Sequence, residues 1–196
     1  MSRHAGRTIK AATTVGAGVA LVTALTAAAG PAEATRARPP LPLRTDAAFQ
    51  SECLATHNAF RARHGAPDLT IDQGLVDHAS RRVTELSRYE GLQQAGGDPG
   101  YGQNVHWFLT SSGRAATCAD AVKKWYAGVG SYDFRAPEFS SRTGFFTQVV
   151  WKGTTRLGCA RAAGPGTRGY ETYIACAYQA PGNVSGRYAQ NVLPVR

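Results

Sequence analysis

The sequence lacks two common functional motifs, the nucleophile elbow of α/β-hydrolases and the phosphate loop of nucleotide-binding proteins. The serine pairs at 111–112 and 140–141 have no GxSxG context, which excludes the nucleophile elbow typical of α/β-hydrolases. The glycines around Pro165 lack phosphate-loop spacing, so a nucleotide site of that kind is excluded as well. No internal repeat is present, which excludes a repeat architecture. The absences favour one ordinary domain without recognisable nucleophilic or phosphate chemistry.

The first 34 residues have the pattern of an export signal. Three basic residues precede an apolar run over residues 11–29, and Ala-Glu-Ala at 32–34 has the small-x-small form of a cleavage site. We therefore predict a signal peptide over residues 1–34 and a secreted, extracellular protein beginning at Thr35. An uncleaved membrane anchor is the alternative, because the run is nearly long enough to cross a bilayer. No other stretch of the sequence is apolar enough to do so.

Basic residues outnumber acidic ones, 22 to 13, which gives a formal net charge of +9. Such a surplus favours weak attraction to anionic cell surfaces, including lipid head groups and cell-wall polymers. The basic residues are scattered and no nucleic-acid-binding motif is present, so nucleic acid is excluded as a partner. Residues 35–46, rich in proline and arginine, are predicted to form a mobile basic leader. Residues 47–196 are long enough for one domain with a substantial core, expected to be a monomer.

Two β-rich runs, 156–163 and 170–178, flank a turn rich in glycine and proline. This pattern predicts an antiparallel hairpin with a loop of several residues. When the loop is centred on its middle residues, Cys159 lies opposite Cys176, at a separation that a disulfide can bridge. Two buried free thiols remain the alternative.

Four cysteines in an exported chain fit a framework of two disulfides, with three possible connectivities. If Cys159 pairs with Cys176, Cys53 is left for Cys118. A bridge between Cys53 and Cys118 would contribute about 4 kcal/mol on the chain-entropy model, against about 3 for the hairpin bridge. Both lie on predicted helices, but the sequence alone does not show that those helices meet.

Apolar residues at helical spacing predict a first helix from Ala47 to His64, begun by Thr45 or Asp46. His57 lies on the apolar stripe of this helix. An inward-facing histidine is most simply a buried, hydrogen-bonded residue, and a ligand or general base is the alternative.

Three further helices are indicated along the chain. Thr70 and Gln73 form a capping-box pattern before the second helix. Apolar residues from Cys118 to Val129 predict the third. The fourth is short and follows Thr143, a plausible N-cap.

Three segments together resemble the CAP superfamily, which comprises cysteine-rich secretory proteins, antigen 5 and pathogenesis-related 1 proteins. Residues 144–151, GFFTQVVW, are similar to the first signature of the family and residues 173–184 to the second. Residues 57–61, HNAFR, match its first-helix pattern. The motifs span nearly all of the chain after the leader. The resemblance implies an α+β fold, a three-layer α-β-α sandwich with a small central antiparallel sheet, known as the SCP domain.

Many CAP proteins carry two histidines and two glutamates that converge in one cleft and suit a divalent metal. The matching positions here hold Gln103, Gly128 and Phe145, and residues 89–101 contain no histidine to supply the fourth ligand. An amide, a glycine and a phenyl ring cannot replace anionic and imidazole ligands, so we expect neither a metal nor another cofactor. His106, near Gln103 in the sequence, is the one alternative ligand.

The resemblance implies a non-enzymatic role. The activity most often suggested for such domains is binding of sterols, fatty acids or other lipids, sometimes with antimicrobial or host- and envelope-directed consequences. A phenyl ring in place of histidine suits a hydrocarbon, so we expect an apolar ligand in a cleft of five residues: Gln103, Trp125, Tyr126, Phe145 and Gln148. The alternatives are that the aromatic residues only fill the core, or that the chain is an extracellular hydrolase of protein or wall polymer. The lack of a recognisable acid, base or metal cluster favours binding.

Overall fold

The computed structural model describes residues 37–92 and 100–196. The predicted signal peptide lies outside these residues, as does most of the stretch in which the fourth metal ligand of the family was sought. None of the helices within the described residues has the length and apolar character needed to span a membrane.

The described residues form an α+β domain of five helices and four strands. In chain order the elements are α1 (Ala47–Arg63), β1 (Thr70–Ile71), α2 (Gln73–Leu86), β2 (Gly102–Thr110), α3 (Cys118–Tyr126), α4 (Gly144–Val150), β3 (Arg156–Pro165), β4 (Tyr170–Gln179) and α5 (Tyr188–Asn191).

The strands form one sheet in the order β1-β3-β4-β2, with α2 against one face and α1, α3 and α4 on the other. The predicted three-layer sandwich is therefore confirmed. The sheet is mixed rather than purely antiparallel, because β1 runs parallel to β3 through the pairs Thr70↔Arg156 and Ile71↔Leu157. β3, β4 and β2 pair antiparallel.

Alternation along β4 supplies both faces of the sheet with core residues. Tyr173 and Ala175 point towards α2, where they join a cluster with alanine, valine and leucine side chains. Ile174, Cys176 and Tyr178 point the other way, into the larger core beneath α1, α3 and α4. Because both faces are covered, β4 is buried along almost its whole length.

The predicted hairpin is confirmed, and each of its strands is slightly longer than expected. Cys159 lies directly opposite Cys176 in the register, and the two form a disulfide with Cα atoms 4.1 Å apart. Cys53 on α1 is bonded to Cys118 on α3, with Cα atoms 5.2 Å apart. The four sulfurs lie within 4.8 Å of one another, so the two bridges meet in the main core.

Two aspartates begin the first two helices. Asp46 accepts a hydrogen bond from the Phe49 amide at 2.8 Å, and Asp72 accepts from the Leu75 amide at 3.1 Å. The capping box predicted from Thr70 is wrong, because Thr70 belongs to β1 and its pairing with β3 holds it in an extended conformation.

The third and fourth helices also differ from the prediction in detail. α3 ends at Tyr126, and a 3-10 turn follows over Ala127–Ser131, so Val129 packs against the core from that turn and not from the helix. α4 begins directly after Thr143, as predicted. The Thr143 hydroxyl does not cap it, because it lies 2.8 Å from the Ser140 hydroxyl instead.

The leader was expected to be mobile, and its described part is held against the domain. The Ala163 amide donates to the Pro42 carbonyl at 3.0 Å, and Leu43 forms an isolated β-bridge with Ala162. The physical reason is that β1 covers only the first two residues of β3. The segment over residues 37–46 satisfies the edge that β1 leaves open.

Candidate ligand-binding site

The candidate site is built around α4, which is held in place by residues of the motifs that resemble the CAP family. Gln148 on this helix is buried, and its Oε1 accepts a hydrogen bond from the Gly182 amide at 2.9 Å. A Cβ atom at Gly102 would lie only 2.1 Å from the same oxygen, and one at Gly182 only 2.9 Å. The two glycines, from separate motifs, therefore leave the space that the Gln148 side chain fills.

Two asparagines fix the first turn of α4. Asn104 Nδ2 donates to the Phe145 carbonyl at 3.0 Å, and Asn183 Nδ2 donates to the Gly144 carbonyl at 2.9 Å. Asn183 has a φ of 59°, a left-handed conformation that asparagine tolerates better than most residues. The orientation of Phe145 is thus set by β2 on one side and by the chain after β4 on the other.

Arg61 holds the other end of α4. Its guanidinium is fully buried, with Nη1 donating to the Val149 and Trp151 carbonyls at 3.1 and 2.9 Å and Nη2 to Thr154 at 2.9 Å. Its Nε donates to Pro67 at 2.9 Å. Burial lowers the pKa of Arg61 to about 10, and the group is stabilised by carbonyl oxygens rather than by a contacting carboxylate.

His57 is a buried structural residue, as its position in the helix indicated. Its Nδ1 lies 2.8 Å from the Cys53 carbonyl, so this nitrogen carries the proton, and Nε2 accepts from the Tyr178 hydroxyl at 2.8 Å. Burial lowers the pKa of His57 to about 4, with a smaller contribution from the nearby Arg61 charge. The imidazole is therefore neutral near pH 7, and both of its nitrogens are engaged.

The positions that match the metal ligands of the family do not converge. Gln103 points towards α2, where its Oε1 accepts from Arg82 Nε at 3.2 Å, whereas Phe145 lies beside α3 on the opposite face of the sheet. At Gly128 a Cβ atom would come within 3.0 Å of Phe146 Cβ. A glutamate there would require α4 to move.

The alternative ligand His106 lies against an aromatic ring. Its centroid is 4.3 Å from that of Phe108, and burial together with the Lys124 charge lowers the pKa of His106. Within residues 37–92 and 100–196, the one cluster of three or more potential metal-ligand side chains consists of the four cysteines. All four are bonded in the two disulfides. The absence of a metal site stays a prediction.

Three of the five residues proposed to line a cleft are buried. Trp125 Nε1 donates to the Val105 carbonyl at 3.1 Å, and the Tyr126 hydroxyl lies 2.9 Å from His64 Nε2. Gln148 is enclosed by the two glycines described above. These side chains do not face solvent, and their polar atoms are satisfied by partners inside the core. Of the five, only Gln103 and Phe145 are accessible, and they lie on different faces of the sheet.

A different set of apolar side chains is exposed around the start of α4, and we call it the α4 patch: Phe139, Phe145 and Val184. Their exposed fractions are 60%, 39% and 45%. The Phe139 ring lies over Gly144, where a Cβ atom would come within 2.8 Å of the ring. Val184 follows Asn183, which is bonded to the same turn of the helix.

A groove of about 480 Å³ adjoins the α4 patch. Its lining consists of Pro137, Glu138, Phe139, Asn183, Ser185, Gly186, Tyr188 and Ala189. The hydroxyls of Tyr188 and Tyr132 are buried and have no hydrogen-bond partner among the described residues. Burial and the neighbouring Tyr188 raise the pKa of Tyr132 to about 12.

Sequence reasoning missed Phe139, Val184 and Tyr188 as site residues. Phe139 lies in a loop, where periodicity does not distinguish exposed from buried aromatic rings. The segment over residues 183–189 contributes through tertiary contacts with α4, which no local pattern indicates.

Comparison with known proteins identifies the family. The model of the cysteine-rich secretory protein (CAP) family matches residues 54–178. The chain belongs to this family. Protein PRY2 of Saccharomyces cerevisiae is 36% identical over 148 residues, covering 75% of this chain and 42% of the yeast protein. Secreted protein RBT4 of Candida albicans is 38% identical over 149 residues, covering 72% of this chain and 37% of its own. The chain thus spans less than half the length of these two relatives.

Solved CAP structures share the fold. The hookworm platelet inhibitor matches with a TM-score of 0.59 at 16% identity, covering 77% of this chain and 79% of that protein. At this identity the match supports the architecture alone. Two disulfides and a relative named as a secreted protein fit an extracellular location for this CAP domain.

Proposed function

We propose that this CAP domain is a secreted, non-enzymatic protein that binds an apolar ligand, such as a sterol or a fatty acid, at the α4 patch and its groove. The observation that carries the proposal is Phe139, a large aromatic side chain that is 60% exposed at the rim of a groove of about 480 Å³. Exposed aromatic side chains beside a concave surface are typical of ligand-binding sites.

The affinity depends on how much apolar surface the ligand covers. Covering about 100 Å² contributes roughly 2.5 kcal/mol. Micromolar affinity corresponds to about 8.2 kcal/mol, so without a charge pair the ligand has to cover more than about 300 Å², counted over the patch, the groove and its own surface. The rigid support of α4 by Arg61, Asn104 and Asn183 favours binding, because little conformational freedom remains to be lost when the ligand arrives.

The groove also offers a polar anchor. Glu138 and Ser185 line the groove and are exposed, so a hydroxyl group of the ligand can hydrogen-bond to either side chain. An amphipathic lipid, with one polar end, therefore fits the site better than a pure hydrocarbon.

An extracellular hydrolase is the competing function. The buried histidines argue against a base at this site, because His57 and His64 each have both ring nitrogens engaged by protein atoms. Burial also lowers the pKa of both groups. This arrangement favours the binding role.

Native mass spectrometry of the purified protein, before and after incubation with a sterol and with a long-chain fatty acid, tests the proposal. We expect a one-to-one adduct with at least one lipid. Phe139→Ser should weaken the adduct strongly, and Leu109→Ser, which changes an exposed apolar residue on β2 away from the patch, should keep it. If the unmodified protein forms no adduct with any lipid tested, the proposal fails. A surface-interaction role through the basic residues is then the function that is left.

A further inference from the structure

A second site lies on the other side of the sheet, around the carboxylate of Glu171. This side chain is fully buried on β4, and it receives both arms of the Arg38 guanidinium. Arg38 Nη1 donates to Oε1 at 2.7 Å, and Nη2 donates to Oε2 at 2.9 Å. Such bidentate pairing is the preferred geometry between arginine and a carboxylate.

Further hydrogen bonds satisfy the third nitrogen of the guanidinium and the second oxygen of the carboxylate. Arg38 Nε donates to the Ser87 carbonyl at 3.0 Å. Glu171 Oε2 also accepts from Trp107 Nε1 at 3.0 Å and lies 2.6 Å from the Tyr173 hydroxyl. Burial alone would raise the pKa of Glu171, but these hydrogen bonds outweigh it and the pKa is lowered. The carboxylate is thus held in its charged form.

The groups that hold the guanidinium and the carboxylate all belong to the folded domain. Ser87 ends α2, Trp107 lies on β2, and Glu171 and Tyr173 lie on β4. Only the guanidinium comes from the leader, and the Arg38 side chain stays 21% exposed. The receptor is therefore built by residues distant in sequence from the group that occupies it.

The leader segment is attached to the domain at separate points between Arg38 and Arg44. Three of the residues at positions 39–42 are prolines, which supply no amide N–H to the domain. The Leu41 amide donates to the Ser87 hydroxyl at 3.1 Å. The Arg38 amide donates to the Arg88 carbonyl at 2.8 Å. On β3, the Pro42 carbonyl accepts from the Ala163 amide at 3.0 Å, and the Arg44 amide donates to the Arg161 carbonyl at 2.7 Å.

We propose that Glu171, Tyr173, Trp107 and the Ser87 carbonyl form a guanidinium-binding site, and that residues 37–44 are a strap whose Arg38 occupies it. The site takes an arginine of an extended basic peptide when the strap is displaced. Lysine does not substitute, because an ammonium cannot bridge both carboxylate oxygens and the Ser87 carbonyl in one plane. The edge of β3 uncovered with the strap supplies main-chain groups for the same peptide.

A tethered occupant competes strongly with a free peptide, since its effective concentration is in the millimolar range for a short linker. The site is consequently tested in the full-length protein with Arg38→Ala, which keeps the strap and removes its guanidinium. Arg135→Ala is the matched control, because that side chain is 95% exposed.

Chemical rescue with a small cation is the first measurement. Arg38→Ala should lower the Tm, and millimolar methylguanidinium should restore at least half of the loss, whereas methylammonium should restore none. Neither cation should raise the Tm of Arg135→Ala. If Arg38→Ala does not fold, Arg38→Lys serves, because it keeps the charge and loses the fork. Equal rescue by both cations, or none, overturns the proposal.

The second measurement uses a fluorescent peptide of residues 35–44 and its R38Q variant. Fluorescence anisotropy should show binding to the Arg38→Ala protein at least tenfold tighter than to the unmodified protein, and no such gain for the R38Q peptide. Equal affinity of the first peptide for both proteins, or equal binding of the two peptides, overturns the proposal. Neither measurement depends on the apolar ligand, so the two proposals fail separately.

Discussion

The two sides of the sheet accommodate buried charge in opposite ways. On the side of α1, α3 and α4, the cation of Arg61 is held by four main-chain carbonyls and His57 is neutral. On the side of α2, the anion of Glu171 is paired with a cation from the leader. The first arrangement joins loops and helix ends within the core, and the second attaches a segment that could otherwise leave.

From this difference we expect a rigid surface on the α4 side, and on the α2 side we propose a displaceable one. Because Arg61 and Asn104 fix the two ends of α4, Phe145 has a defined position beside the groove. On the proposal above, the Glu171 site remains assembled when Arg38 departs, because Trp107 and the Tyr173 hydroxyl still donate to the carboxylate. The comparison therefore predicts larger stability losses on the α4 side.

Removal of the Arg61 guanidinium should give the largest effect. Arg61→Ala removes the guanidinium donors of four carbonyl oxygens, and breaking a buried charged network of this kind costs about 3–5 kcal/mol. Arg63→Ala, at an exposed position two residues later, should cost much less. Urea unfolding of the two variants measures the difference. Similar losses would break the comparison between buried and surface cations.

The two disulfides should contribute unequally. Replacing Cys53 and Cys118 by alanine opens a loop of 65 residues and should lower the free energy of unfolding by about 4 kcal/mol, against about 3 for the 17-residue loop of Cys159 and Cys176. Denaturant unfolding of both double variants tests this. A larger loss for the hairpin pair would show that local packing, rather than loop closure, decides the ranking.

Acid should weaken the α4 side before the α2 side. His57 has a pKa of about 4 when folded and an ordinary value of 6.5, so the unfolded chain binds the proton first as the pH falls. The free energy of unfolding should therefore fall by about 3 kcal/mol as the pH is lowered from 6.5 to 4.

Glu171 has a lowered pKa, so its contribution is present above the ordinary carboxyl range and is lost only at lower pH. Unfolding measured from pH 7 to pH 3 separates the two groups. His57→Gln should flatten the upper part of the profile and leave the lower part. An unchanged slope above pH 4 in that variant would contradict the assignment to His57.

The sequence predicted those elements that depend on local patterns, such as an apolar stripe, a helix cap or the register of a hairpin. The opposition of Cys159 and Cys176 followed from the hairpin length, and α1 followed from its apolar stripe and an acidic cap. β2 was not predicted, because its side chains are mostly half-buried on both faces and the usual alternation of polar and apolar residues is absent. The strap was misjudged because Arg38 meets a partner 133 residues away.

The site shows the same division. Phe145 was found because it lies in a motif that resembles a family signature, and such a motif is recognised from the sequence without knowledge of the tertiary contacts. The exposure of Phe139 and the unpaired hydroxyl of Tyr188 depend on how residues 183–189 return to α4. That return is a tertiary feature, and local propensity contains no information about it.

The most direct test of the proposed function is an equilibrium titration with a fluorescent fatty acid and a fluorescent sterol. We predict that Phe139→Ser weakens binding of the preferred lipid about tenfold, or about 1.4 kcal/mol, while Leu109→Ser leaves it unchanged. Urea unfolding should show that both variants keep their stability within about 0.5 kcal/mol, as expected for exposed positions. Equal affinities of the unmodified protein and the two variants for both lipids would contradict a ligand site at the α4 patch.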